Sequence, residues 1–398
     1  MELKRIDRFL LKALYFIAAG LVVMQTLGQE VLVRLLFAMT FPLTVFLWLR
    51  SVRKTVTSTD AVILVTVALA LVSVLLDAGI HNAALSFSYL KKVVMFSMTL
   101  LFFQTAYRFR LDRETTTFIE RLLDGLVLYL AVMYFASGSQ MYWLDGRVSR
   151  FLTFRMSNPN LTGMYLACLY ALELCRIFKQ KKRFMKLMHI AMSIFLLVCV
   201  WQTQSRNALL VTCLFTAICL WLVFRNVKNL HMGKTVSVLI AIFPALFVVI
   251  YLFVVETPWF NELLFFLVGE GKNLDSRVEI WGTAVNALKK SPVIGAYYTI
   301  SGGTGSTQMH NSHLDIAASY GLPAMFLVCS LLQRYLHQHG QQYDDREKYI
   351  YILGFASLLM IGIGEGALFA GSLGIYIFVG TFLLLTGQGN ASMTEGTQ

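Results

Sequence analysis

The sequence predicts an all-α, polytopic membrane protein with about twelve transmembrane helices and a large extracytoplasmic loop containing amphipathic helices. The first observation behind this is bulk composition. Hydrophobic residues make up 57% of the 398 residues and charged residues only 14%, and the mean hydropathy is +0.65, a balance foreign to soluble domains. The second is periodic recurrence of apolar windows of about 20 residues, the length that crosses the hydrocarbon layer. They fall at roughly 9–27, 31–49, 60–78, 88–107, 119–137, 160–178, 187–204, 207–225, 236–255, 313–336, 347–364 and 369–386. The third is the placement of the cations behind the net charge of +12. Lys4, Arg5, Arg8 and Lys12, then Arg50 and Arg53, then Arg108, Arg110 and Arg113, then the run from Lys179 to Lys186, then Arg225 and Lys234, then Arg334, Arg346 and Lys348 fill alternate loops. The positive-inside rule puts those loops, and both termini, in the cytoplasm. This charge pattern belongs to a membrane protein and implies no nucleic-acid partner.

In chain order, residues 1–255 form spans one to nine, 256–312 the large outer loop, 313–386 spans ten to twelve and 387–398 a polar cytoplasmic tail. The first apolar run is long and lacks a small-residue cleavage site, so it is expected to be an anchor rather than a removed signal. Spans one to three read as scaffold. Lys91 and Lys92, near the outer end of span four, either snorkel to headgroups or line an outward cavity. The next outer segment carries Arg147, Arg150 and Arg155 ahead of Asn158-Pro159-Asn160. Asn can cap a helix and Pro fits its first position, whereas the three arginines suggest an anion site or surface decoration. Arg206 sits between spans seven and eight, at or just below the outer boundary, where an unpaired charge costs about 2.5 kcal/mol or more. All six cysteines fall within predicted spans without paired spacing, which suits apolar packing and neither a disulfide framework nor a zinc site.

The outer loop is the longest interruption of the apolar pattern. Thr257-Pro258 can open a short interfacial helix to about Val268. Ser276 and Glu279 have capping-box spacing, which places Arg277 in a first helical turn. Val278, Trp281, Val285 and Leu288 then share one face, until Pro292 and Gly295 stop the helix. The Gly/Ser/Thr run from Ser301 to Thr307 lacks the lysine of a phosphate loop and is a lid or a linker. His310, Asn311 and His313 follow; their spacing is not that of a zinc site. Between spans eleven and twelve, Gly362-Ile363-Gly364-Glu365-Gly366 is an outer turn whose carboxylate is either exposed or paired with an outer arginine.

Three stretches resemble the O-antigen ligase and O-antigen polymerase superfamily, multispanning bacterial glycosyltransferases of the GT-C type. TQSRNALL around Arg206 looks like that family's arginine followed, after three intervening residues, by leucine, here Leu210. DSRVEIWGTAVNALKKSPVIG is similar to its arginine-bearing outer helix and following Pro and Gly, and His310-Asn311, nine residues, Gly321 to the ligase signature. That signature continues to Gly, Thr or Tyr where this chain has Ala324.

The resemblance implies a cytoplasmic (inner) membrane enzyme, its site facing the periplasm or cell exterior. It would transfer a glycan from an undecaprenyl-diphosphate-linked donor to an acceptor sugar hydroxyl. Polymerisation of repeat units is the favoured reading, with ligation of a finished glycan as the alternative. A flippase or transporter is the rival of another class, for which twelve spans would suit but no repeated halves are seen. Arg206 and Arg277 are the expected diphosphate ligands, with Arg150, Arg155 and Lys92 as further candidates for the pocket. His310 is the expected general base and Asn311 its orienting partner or an acceptor ligand. His313 as base, or His310 as a mere cap, remains open, and Glu365 is a candidate substrate-binding residue. Direct attack implies inversion, and no cofactor or metal is expected. Partners would be the lipid bilayer, the donor, the acceptor and a chain-length regulator or other glycan-assembly proteins. A cysteine introduced as Ser306→Cys is expected to react with an impermeant maleimide on intact cells; labelling only after lysis would reverse the topology.

Overall fold

The computed structural model describes residues 3–53, 55–81, 87–137, 140–144, 147–156, 158–225, 231–254, 257, 275–296, 309–341, 346–370 and 374–386. Helices dominate them: α1 (Arg5–Thr26), α2 (Glu30–Val52), α3 (Ser58–Ile80), α4 (Phe87–Arg108) and α5 (Arg113–Ser137) precede a two-stranded hairpin. Then come α6 (Pro159–Lys179), α7 (Arg183–Gln202), α8 (Arg206–Phe224), α9 (Lys234–Val254), α10 (Asp275–Lys290) and α11 (Ser312–Gln341). The chain ends in α12 (Arg346–Leu359), a 3-10 turn (Met360–Ile363), the short α13 (Ala367–Ala370) and α14 (Ile375–Thr386).

Eight of these, α1 to α3, α6 to α9 and α11, are long and apolar enough to cross a membrane. α4 and α5 have comparable length, 22 and 25 residues, with more charge. α12 and α14 are shorter apolar helices. Large side chains such as Phe46, Leu71, Ile194, Leu214 and Ile250 are exposed on the bundle's outside, a surface suited to lipid and unsuited to water. The centre is formed by α4, α6, α11, α12 and α14, where Phe96, Phe102, Phe103, Tyr165, Tyr320 and Phe355 are buried.

Local chemistry sets several helix starts. Thr57 and Asp60 form a capping box at α3, and Asn158 caps α6 by accepting from the Asn160 amide at 2.8 Å, with Pro159 at the first position. The cysteines are free and, apart from the exposed Cys213, buried, as their apolar placement suggests.

The structure departs from the sequence pattern at three places. First, the segment before α6 contains strands β1 (Gln140–Leu144) and β2 (Arg147–Phe151), antiparallel with Gln140 opposite Phe151. Alternating residues in so short a segment give little periodicity beside the helices. Second, span ten is broken: Gly321 has φ 84° and ψ 165° in the middle of α11, a conformation essentially restricted to glycine. The segment after α10 docks on that break. Leu322 donates to the Pro292 carbonyl and Ala296 to that of Ala318, each at 2.8 Å. A Cβ on Gly321 would overlap the Val293 carbonyl, and one on Gly295 (φ 77°) would come within 2.7 Å of the Ala318 oxygen. Pro292 and Gly295 therefore do more than stop a helix; they interlock with Gly321. Third, span twelve is interrupted between α13 and α14, where Gly374 has φ 84°. The expected interfacial helix to Val268, the Ser301–Thr307 run and the polar tail lie outside the described residues.

Gly321→Ala forces a positive φ and a backbone clash together, each worth roughly 1–3 kcal/mol. Detergent-purified G321A is expected to unfold several degrees below the wild type in a thermal-shift measurement; an unchanged midpoint would contradict the interlock.

Candidate active site

The candidate residues gather at the end of the bundle where α6, α8 and α11 begin. Gly163 lets the turn between α7 and α8 sit against α6: a Cβ there would lie 2.6 Å from the Ser205 Cβ. The strand segment after β2 is stitched to the same turn, Leu152 donating to the Gln202 carbonyl at 3.0 Å, and to α6 through Thr162 and the Thr153 carbonyl at 3.2 Å. Arg155 and Arg206 are thereby brought onto one side of the site. Both are exposed, and among the described residues neither has a carboxylate partner.

The other side is built from the 3-10 turn. The Ile361 carbonyl accepts from the Asn207 side chain at 2.6 Å and from the Glu365 amide at 3.2 Å, so the residue after Arg206 and the site's carboxylate share one anchor. Glu365 Oε1 then accepts from Asn160 Nδ2 at 2.8 Å, and Oε2 lies 3.3 Å from His310 Nδ1. The Glu365 side chain is only 6% exposed and that of His310 31%. The imidazole is therefore the member of the pair that a substrate can reach. A carboxylate on Nδ1 favours the tautomer with the proton on that nitrogen, leaving Nε2 free to accept. Of the two expectations for Glu365, exposure is overturned: the carboxylate is buried, and Asn160 and His310 are partners of it.

Asn311 is fully buried and its side chain is committed to the scaffold. Its amide donates to the Pro244 and Ile363 carbonyls at 2.8 and 3.1 Å, while its oxygen accepts from the amides of His313 and Leu314. It caps α11 and fixes that helix to α9 and the 3-10 turn, which orients the neighbouring His310 through the backbone. His313 is buried as well, with Nε2 donating to the Ala241 carbonyl at 2.8 Å. That contact points it into α9.

Lys92 makes a 2.9 Å ion pair with Asp315, their side chains 10% and 3% exposed. A lysine so placed has its charge compensated, unlike Arg155 and Arg206. Asp315 escaped sequence reasoning, since a lone carboxylate one turn into an apolar helix carries no motif; the only signal was an unexplained charge inside a span. Arg277 lies in the first turn of α10, as the capping-box spacing predicts; its side chain and that of Arg150 lie outside the described residues.

A second charged group joins α5, α6 and α7 toward the opposite end. Arg176 donates to Asp124 at 2.5 Å and to Glu173 at 2.6 Å, and His189 Nδ1 lies 2.7 Å from Glu173. Asp124, Glu173 and His189 have the spacing of metal ligands, but the guanidinium already takes up both carboxylates. Between α9, α10 and α11 lies an apolar cavity of about 310 Å³ lined by Val248, Val285, Leu288, Leu314 and Ala317, with Lys289 at its edge.

With this geometry in place, comparison with known families bears on one stretch of the chain. Residues 190–329 match the O-antigen ligase family. The match runs from α7 to α11 and includes Arg206, Arg277, His310 and Gly321, while Arg155 and Glu365 fall outside it. No curated protein and no solved structure matches the chain. The family match and the apolar helices together support a multi-pass membrane enzyme of the O-antigen ligase or polymerase type.

If Glu365 holds the His310 ring, Glu365→Ala should lower glycan transfer at least tenfold and Glu365→Gln less, because glutamine can still accept a hydrogen bond. In a His310→Ala background neither change should cost more, as for groups that act as a unit. Initial transfer rates of the two Glu365 variants, of His310→Ala and of the two double variants test this, and additive losses would separate the two residues.

Proposed function

We propose that the protein is an inverting, metal-independent glycosyltransferase that transfers a glycan from an undecaprenyl-diphosphate carrier to an acceptor sugar hydroxyl on the outer face of the cytoplasmic membrane. The observation that carries this reading is the pairing of an accessible imidazole with a buried carboxylate, His310 with Glu365, on a site that also holds Arg206 and Arg155, which have no acidic partner among the described residues. His310 Nε2 accepts the proton of the attacking hydroxyl, and Glu365 steadies the imidazolium that results. Bond formation at the anomeric carbon is matched by cleavage of its bond to the diphosphate, which departs with the electron pair. Negative charge grows on the diphosphate as that bond breaks, and arginines in a partly desolvated site stabilise this developing charge more than the ground state. Arg206 and Arg277 are the diphosphate ligands, Arg155 and Arg150 the supporting cations. The apolar cavity under α10 has room for a short length of hydrocarbon next to a lysine, in keeping with a lipid-linked donor.

Asn311 and Lys92 serve this site as scaffold, since the first is saturated by backbone groups and the second is paired with Asp315. His310 is preferred to His313 as base because His313 Nε2 is engaged by Ala241 and its ring is enclosed. Polymerisation of repeat units is the form of the reaction we favour, on overall length and the Asn-Pro-Asn segment; ligation to a lipid or surface acceptor is the second form.

His310→Ala and Arg206→Ala are each expected to reduce long glycan in the source cells by at least about a hundredfold, the scale of a lost general base or oxyanion-type donor. Normal chain length and attachment in both variants, at normal protein level, would sink the assignment. In a deletion strain, single-repeat product indicates a polymerase, whereas accumulated long lipid-linked chains indicate a ligase.

A further inference from the structure

His310 has a left-handed backbone, φ 48°, and such a conformation persists in a non-glycine residue only when its neighbours over-determine it. Two restraints flank it. On the C-terminal side, Asn311 is fixed to α9 and the 3-10 turn by its own side chain. On the N-terminal side, the restraint comes from α10. The indole N–H of Trp281 donates to the Met309 carbonyl at 2.7 Å, and that carbonyl belongs to the peptide unit that ends at the His310 nitrogen. Trp281 is itself enclosed: it is 2% exposed and meets Tyr251 edge-on at 5.4 Å and Phe247 at 6.3 Å, both on α9.

Trp281 also lies in the same helix as Arg277, four residues further along the chain. α10 is pinned at its far end by the interlock of Gly295 with α11. The helix therefore has one end fixed to the broken span, its middle bonded to the peptide before His310, and an arginine at its start.

We infer that Trp281 is a positioning residue for His310, holding the Met309–His310 peptide so that the ring faces the substrate. This rests on the proposed role of His310 as base. Rotating the Met309 peptide lets His310 relax toward an ordinary φ, which swings its Cβ and withdraws the imidazole from Glu365. The link also makes the alignment of the base depend on where α10 sits.

The test uses the full-length protein in proteoliposomes, with lipid-linked oligosaccharide extracted from cells lacking the protein as donor. Trp281→Phe keeps an aromatic ring against Tyr251 and Phe247 and removes the N–H. It should lower kcat about tenfold and leave the donor KM within about twofold. Site-specific replacement of Trp281 by benzothienylalanine, which keeps the bicyclic shape and lacks the N–H, should do the same; it decides the matter if the phenylalanine variant does not elute as a single folded species. Wild-type kcat in the isosteric variant, or a raised KM with kcat unchanged, overturns the inference. His310→Ala measured alongside separates the two claims. If it is inactive while the isosteric variant is fully active, only the positioning role fails; if it turns over normally, the assignment of the base fails.

Discussion

The turn from Met360 to Glu365 is the junction on which the site depends. It interrupts helical hydrogen bonding inside an apolar bundle, where every unpaired peptide group is costly and water is scarce. Its carbonyls must therefore find partners, and the partners are the side chains that define the site. The Ile361 oxygen takes Asn207, the Ile363 oxygen takes Asn311, and the Glu365 oxygen takes Ser312 at 3.0 Å. Gly362 allows this closeness, since a Cβ there would stand 2.9 Å from the Ser312 hydroxyl. α8, which starts with Arg206, and α11, which follows His310, are thus both referenced to one short stretch of irregular backbone. Placing Glu365 at its end makes the carboxylate a product of that bonding pattern.

A second regularity concerns charge. Buried charges away from the site are compensated: Asp60 with Arg108 at 2.6 Å, Asp7 with Arg50, and Arg176 between Asp124 and Glu173. Such pairs offset desolvation and are expected of charged groups within a bundle. At the site the bookkeeping differs, because Arg155 and Arg206 have no acidic partner among the described residues. The nearby carboxylates are already used, Glu365 by His310 and Asn160 and Asp315 by Lys92. Among the described residues the acids are therefore committed on one side and Arg155 and Arg206 left without an acid on the other, a distribution that suits the proposed diphosphate leaving group.

Much of this was legible in the sequence for simple reasons. Helices declare themselves through apolar windows, and an arginine such as Arg206 at a span boundary stands out against its surroundings. The Asn158-Pro159 start of α6 follows from capping chemistry alone. What escaped depends on distant contacts. Pro292 and Gly295 read locally as a helix stop, yet their carbonyl and φ are tied to Gly321, far along the chain. The pairing of Lys92 with Asp315 joins residues 223 apart, so neither charge carried a local sign of its partner. Of the two roles the sequence leaves open for Asn311, orienting His310 or binding the acceptor, its bonds to the Pro244 and Ile363 carbonyls favour the first, and those partners are distant in the chain. β1 and β2 were hidden by their brevity.

The placement of backbone strain ties these strands together. Among the described residues, four non-glycine residues have positive φ: Phe154, Arg155, Gln204 and His310. Every one is in, or adjacent to, the candidate site, although they come from three separate stretches of chain. Residues of this kind cost roughly 1–3 kcal/mol each and persist where the surroundings over-determine them. Here the determinants are visible: Leu152 and Met156 bonded on either side of Phe154 and Arg155, Thr203 and Ser205 around Gln204, and Met309 and Asn311 around His310. A site built only to bind a flexible lipid would gain nothing from such fixed geometry. The proposed proton abstraction from an attacking hydroxyl would require it, since a base displaced by an ångström loses much of its effect. The strain is therefore most economically explained as preorganisation, with the free energy drawn from the tightly bonded turns that hold Arg155, Arg206 and His310 in place.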